Sequence, residues 1–199
     1  MAPKNRGDLG RVLVVGGNGF LGHHIVNQIL NDWSSSHVSS IDLRCDKNRN
    51  PAATYQECDI TDTDALLSAF ENLKPDVVIH TASPQAADHT NNKDLFKRVN
   101  VDGTESVIRA CQEAGVKALV YTSSSSVISD DSTPLYNADE RWPVIRGDQQ
   151  GSYYSETKVR SSIPTFHKHT DMLTFLPPPS RPPPKRPSSR PTAPSPPSS

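Results

Sequence analysis

Apolar residues recur along most of the chain in two alternating rhythms. Residues 11–16, RVLVVG, form a short β-branched run ending in glycine, which predicts a buried strand. Over residues 20–31 the apolar positions Phe20, Leu21, Ile25, Val26, Ile29 and Leu30 follow helical spacing. Residues 37–43, HVSSIDL, predict a second strand, and 54–58, TYQEC, a weaker third. DITDTDALLSAFENL then reads as a helix with Thr61 or Asp62 as its N-cap. A fourth strand follows at 76–83, one long helix at 94–115 closed by Gly115, and a fifth strand at 117–125. A polar loop leads to a last helix carrying Tyr154 and Lys158. Strands that alternate with helices, and are apolar throughout, predict a doubly wound α/β fold: a parallel sheet covered on both faces.

From Ser161 the rhythm dissolves. Pro164 lacks an amide hydrogen and disfavours helical backbone at Ile163, so the helix is expected to stop there. Of the 18 prolines, 11 fall in residues 177–199, and no acidic residue follows Asp171. The expected organisation is a flexible N-terminus over 1–8, a partial Rossmann-type dinucleotide-binding domain over 9–163, and a Pro/Ser/Arg-rich tail over 164–199. That tail is too polar to bury a core and is expected to be disordered or polyproline II. Its PPPSRPPPKRP stretch has the form of a ligand for SH3-type grooves.

Net charge is −1, which gives no electrostatic case for nucleic acid. Three widely spaced cysteines, Cys45, Cys58 and Cys111, read as buried thiols in a reducing compartment, with no metal-ligand pattern around them. The N-terminus lacks an apolar signal region, and no stretch reaches the ~20 apolar residues of a membrane span. The expectation is a soluble, cytoplasmic protein.

Between the first strand and first helix lies Gly16-x-x-Gly19-x-x-Gly22. Gly16 allows the tight turn, Gly19 lets backbone approach a pyrophosphate, and Gly22 lets helix pack on strand. Phe20 and Leu21 start the helix whose free amides would face the anion. Asp42, at the end of the second strand, could accept hydrogen bonds from an adenosine ribose and would repel a 2′-phosphate. NAD is therefore favoured, with NADP kept open by Arg44 two residues on. Asp59 and Ile60 fall where an adenine edge would lie, though Asp59 is equally suited to cap the next helix. Thr81, Ala82 and Ser83 end the fourth strand beside the crevice. His80 reads as a core histidine, and His23 and His24 as helix-surface residues.

Tyr154 and Lys158 are four apart, on one helix face. A nearby ammonium favours a phenolate, which lets a tyrosine act as general base on an alcohol. Lys158 is also placed to bond a nicotinamide ribose. The serine run 123–126 offers a hydroxyl to steady the substrate oxygen; Ser124 is the choice and Ser125 the runner-up. Tyr153 would pair with Thr157, which carries no charge.

VLVVGGNGFLG, DVVIHTASP, VNVDGTESVIRAC, ALVYTSSSSVI and YNADERWP…YYSETK together resemble the extended short-chain dehydrogenases/reductases. Within them they are most similar to the 3β-hydroxysteroid dehydrogenase/isomerase family, in its sterol-4α-carboxylate 3-dehydrogenase (decarboxylating) branch. The resemblance covers about residues 9–160. It implies NAD(P)-dependent oxidation of a sterol 3β-hydroxyl, giving a β-keto acid that can lose CO2. It also implies Ser124, Tyr154 and Lys158 as catalytic residues, Asn100 as a support of the active-site backbone, and Gly16, Gly19, Gly22, Asp42 and Asp59 as cofactor positions. A homodimer of the full-length family member and peripheral association with the endoplasmic reticulum are further implications. Family members continue well past the YxxxK helix, so poor stability and impaired turnover are expected of the chain as written. The tail's abrupt change of composition predicts a frame change or a retained intron. Sequencing the transcript checks this; an abundant message encoding the tail in frame overturns it.

Overall fold

The computed structural model describes residues 7–33, 36–84, 92–132, 134–139 and 141–167. The expectations for the extreme N-terminus and for the proline-rich tail lie outside those residues.

Five strands form one parallel sheet in the order β3-β2-β1-β4-β5. They are β1 (Arg11–Val15), β2 (His37–Asp42), β3 (Thr54–Glu57), β4 (Val77–His80) and β5 (Ala118–Tyr121). The sheet order reverses at β1, whose neighbours are β2 on one side and β4 on the other. The crevice above that reversal is where an open α/β sheet accepts a ligand. The expected doubly wound α/β architecture is the one observed.

Alternation along β1 sorts its side chains between two cores. Leu13 and Val15 join Leu66 and Phe70 of α2 (Thr63–Leu73) and Val107, Ile108 and Cys111 of α4 (Thr104–Glu113). Val12 and Val14 point the other way, to Val26 and Ile29 of α1 (Phe20–Asp32). Each fully buried aliphatic side chain contributes about 1.5–3 kcal/mol. α1 lies over β1 and β2, whereas Val120 on β5 is 51% exposed. Asp62 is the N-cap of α2 and accepts a bond from the Ala65 amide. Cys45, Cys58 and Cys111 are buried and unpaired.

Two predicted helices differ from expectation. The single helix over 94–115 is instead α3 (Lys93–Phe96), a π-helical segment (Lys97–Gly103) and α4. Widening the turn there gives Asn100 partners on both sides, which the regular spacing of apolar residues does not register. The last helix, α5 (Tyr153–His167), runs through Pro164 rather than ending at Ile163. A proline near a helix end removes one amide donor, toward the Arg160 carbonyl, and the remaining bonds of the turn carry the helix on.

At Gly16 and Gly22 it is neighbouring backbone that demands glycine. A Cβ on Gly22 would stand 2.2 Å from the Gly16 carbonyl oxygen, and one on Gly16, at φ +83°, would meet the Ala82 amide nitrogen at 2.7 Å. Backbone cannot yield there as a flexible side chain can. Gly22→Ala is expected to destabilise by about 1–3 kcal/mol, read as a lower urea midpoint with unchanged m-value.

His80 ends β4 inside the first core, 1% exposed, with Nε2 3.1 Å from Thr104 Oγ1. Burial, helped by the Lys158 charge, pushes its pKa down to about 3. The unfolded chain protonates this group below about pH 6.5, and the folded chain does not. Stability held at neutral pH is therefore lost as pH falls from 6.5 toward 3, by up to about 1.4 kcal/mol per pH unit. Urea unfolding of the parent and His80→Gln between pH 7 and 4.5 measures this. Equal pH slopes in the two proteins would remove His80 from the explanation.

Candidate functional site

A cavity of about 300 Å³ opens at the carboxyl ends of β1, β2 and β4. Gly16 and Gly19 from the turn after β1, Asp42 from β2, Asp59 and Ile60 after β3, and Thr81 and Ala82 after β4 all line it. These seven residues are separated by up to 66 positions in sequence, and sheet order alone brings them together. Gly22 lies behind the cavity, against the turn. Phe20 and Leu21 open α1 with side chains 83% and 47% exposed.

The Gly turn is braced from β2. Ser40 Oγ donates to Asn18 Oδ1 (3.0 Å), the Asn18 amide donates to Asp42 Oδ2 (3.0 Å), and Leu43 N donates to Asp42 Oδ1 (2.8 Å). Asn18 also bonds the Lys47 carbonyl and accepts from Asn48. The Asp42 carboxylate is thereby held at the cavity wall. A second hollow beside it is lined by Asn18, Gly19, Asp42, Arg44, Asp46, Lys47 and Asn48. Asp59 does not cap α2, since Asp62 does; its carboxylate accepts from the Thr61 amide and faces the cavity.

The N-terminus of α1 fits a dinucleotide. It has no side-chain cap at Gly19 and no acidic residue in its first turn. Its first amides are therefore available to an anion, in the partial positive field of the helix. A Cβ on Gly19 would touch only the Gly16 carbonyl, at 3.3 Å. The fold would accommodate a Cβ at Gly19 by a shift of a few tenths of an ångström, whereas a pyrophosphate approaching the turn would leave no such room.

The second cluster lies on α5, outside that cavity. Ser152 opens the helix, its hydroxyl accepting from the Ser155 amide (3.2 Å). Tyr154 is half-buried, with its ring edge-on to Phe96 at 5.8 Å. Lys158 is buried: Nζ donates to the Thr122 carbonyl (2.8 Å) and sits 4.6 Å from the Tyr121 ring centroid. Desolvation brings its pKa down to about 8, so it is still largely charged at neutral pH. Tyr121 is pushed up to about 12 by burial. Ser124 follows β5 and shares a 2.7 Å hydrogen bond with Ser126. Asn100 is 1% exposed between the two clusters, accepting from Ser83 Oγ (2.9 Å) and donating to Thr157 Oγ1 (3.0 Å).

Sequence reasoning passed over Leu43, Cys58, Pro84, Leu95, Arg98 and Val99, which also line the cavity. Leu95, Arg98 and Val99 carried a usable signal, an i, i+3, i+4 face directed at one surface. Thr122 and Thr157 were also missed as partners. Among the described residues, no group of three or more His, Cys, Asp or Glu side chains is placed to hold a metal. No helix among them is long and apolar enough to cross a membrane.

The architecture matches solved structures, including UDP-glucose 4-epimerase of Thermus thermophilus, crystallised as a complex with NAD. That match has a TM-score of 0.70 at 27% identity and covers 78% of this chain and 50% of the epimerase. Curated sequence relatives are more similar in sequence. Sterol-4-alpha-carboxylate 3-dehydrogenase, decarboxylating, of Saccharomyces cerevisiae is 36% identical over 156 residues, 74% of this chain and 43% of the enzyme. The human protein of the same description is 37% identical over 155 residues, 78% of this chain and 39% of its own length. The chain therefore spans about two-fifths of the length of the curated relatives it matches. The Gly turn, the serine run and the YxxxK helix all lie within residues 13–162, which match one family model; the chain belongs to the 3-beta hydroxysteroid dehydrogenase/isomerase family.

Proposed function

We propose that the chain binds NAD in the cavity at the Gly turn and carries the residues that oxidise a sterol 3β-hydroxyl. The open approach to Gly19 is the observation that carries the binding half of this reading. Protein atoms crowd a Cβ at Gly19 only mildly, at the Gly16 carbonyl, and a pyrophosphate approaching the turn would need that space more than the fold does. Family membership and the sterol-4-alpha-carboxylate dehydrogenase relatives support the substrate class.

In this reading Asn18 and Leu43 amides hold the Asp42 carboxylate ready for the adenosine ribose hydroxyls. A 2′-phosphate would meet that negative charge, so NAD is preferred to NADP. Bound NAD supplies the hydride acceptor. Ser124 orients the substrate oxygen, and Tyr154 takes the hydroxyl proton as the C–H electron pair leaves. Lys158 is the neighbouring positive charge, held from the Thr122 carbonyl. With a 4α-carboxylate present, the 3-ketone formed is a β-keto acid, which loses CO2 through its enol without a further base.

Calorimetric titration of residues 1–199 with NAD tests the binding. Saturable binding is expected, abolished by Gly19→Val in a variant that still unfolds cooperatively in urea, at a somewhat lower midpoint. A folded parent with no heat of binding overturns it. Asp42→Ala should weaken NAD about tenfold and narrow the gap to NADP, since a hydrogen bond to a charged group contributes about 1.5–3 kcal/mol. NADH formation with a 3β-hydroxysterol 4α-carboxylate, lost in Tyr154→Phe, then tests the chemistry. NAD binding without NADH formation would leave a binding module.

A further inference from the structure

α5 buries an unusual face. Ser155, Thr157, Lys158 and Ser161 are all at most 3% exposed, with Val159 the aliphatic residue among them. A helix that buries an apolar stripe can slide or rotate at small loss. One that buries polar groups is held in register by each hydrogen bond it makes to another element, here Asn100 to Thr157 and Lys158 to the Thr122 carbonyl, because a misplaced buried group is left unsatisfied.

Thr157 occupies the centre of that face, 0% exposed. Its hydroxyl works in both directions: Oγ1 accepts from Asn100 Nδ2 (3.0 Å) and donates to the Tyr154 carbonyl (2.7 Å). At the far end of Asn100, Oδ1 accepts from Ser83 Oγ (2.9 Å), and Ser83 lines the cavity at the Gly turn. Asn100 can serve both because it sits in the π-helical segment, a feature that recurs at functional positions. Phe96, directly before that segment, meets the Tyr154 ring. The backbone and the ring of Tyr154 are therefore both referenced to the same short stretch, and through it to the cavity wall.

We propose that Thr157 is a positioning residue: its buried hydroxyl ties Tyr154 to Asn100 and so to Ser83 on the cavity wall. This rests on the reading of Tyr154 as the base. A serine at the position keeps the link, and an isosteric valine breaks it while leaving the Asn100 amide without its acceptor.

The test uses residues 1–199 with ring-13C-labelled tyrosine, the Tyr154 signal identified by its loss in Tyr154→Phe. In Thr157→Val the Tyr154 ring signal is expected to shift or broaden, while the signals of Tyr55 and Tyr136 keep their positions. Thr157→Ser should restore the parent signal, which a general loss of packing would not allow. Ser83→Ala breaks the opposite end of the chain of bonds and should move the Tyr154 signal in the same direction; it decides the matter if the valine variant does not fold. A folded Thr157→Val with an unchanged Tyr154 signal overturns the proposal, as does an unchanged signal in Ser83→Ala where the valine variant is unfolded. The spectra are recorded without and with NAD. A failure to bind NAD overturns the cofactor reading, and the ligand-free Tyr154 signal still decides on Thr157.

Discussion

Between Gly22 and the Gly16 carbonyl oxygen there is no room for a single carbon, and helix α1 leaves the sheet at that contact. The close approach sets α1 directly over β1, so its uncapped N-terminus opens at the carboxyl end of the sheet. It also brings the Asn18 amide to the Asp42 carboxylate, which joins the turn to the end of β2. The exit of α1 from the sheet, and with it the link from the turn to the end of β2, depends on that one van der Waals contact.

The two halves of the site are held by different physics. The cavity is a product of parallel pairing: β1, β2 and β4 end at one level, and the turns after them converge. Helix α5 is fixed by polar contacts instead. Lys158 reaches the Thr122 carbonyl, Asn100 reaches Thr157, and Ser162 shares a hydrogen bond with Ser123. Burying that much polarity costs stability unless every group is satisfied, and it gives a defined register in return. His80 and Tyr121 lie in the same layer, and burial keeps both neutral near pH 7. Lys158 is then the charged group among the three.

The sheet is not equally covered. On the face carrying α1, Val77 and Ile79 are half-buried and Val120 is half-exposed. The relatives that share this fold are more than twice as long as the stretch they share with it. An apolar face of this kind on β4 and β5 is a source of marginal stability in water.

The element order, the parallel sheet, the Gly turn and the acidic end of β2 were legible in the sequence, because each depends on local rules. Strand and helix periods differ, a tight turn needs glycine, and the first two βα units dictate at which end of the sheet the Gly turn opens. The spacing of Tyr154 and Lys158 was legible for the same reason, a helix having a fixed repeat. The π-helical segment was not: Asn100 within it bonds residues 17 and 57 positions away, partners that no local rule along the chain reveals. Nor was the helix crossing Pro164, where the local preference to stop was overridden. Cys58, Leu95 and Arg98 became cavity residues only when sheet order brought their segments beside Gly16. Sequence determines what repeats along the chain, and tertiary structure alone decides which distant polar groups must satisfy one another once water is gone.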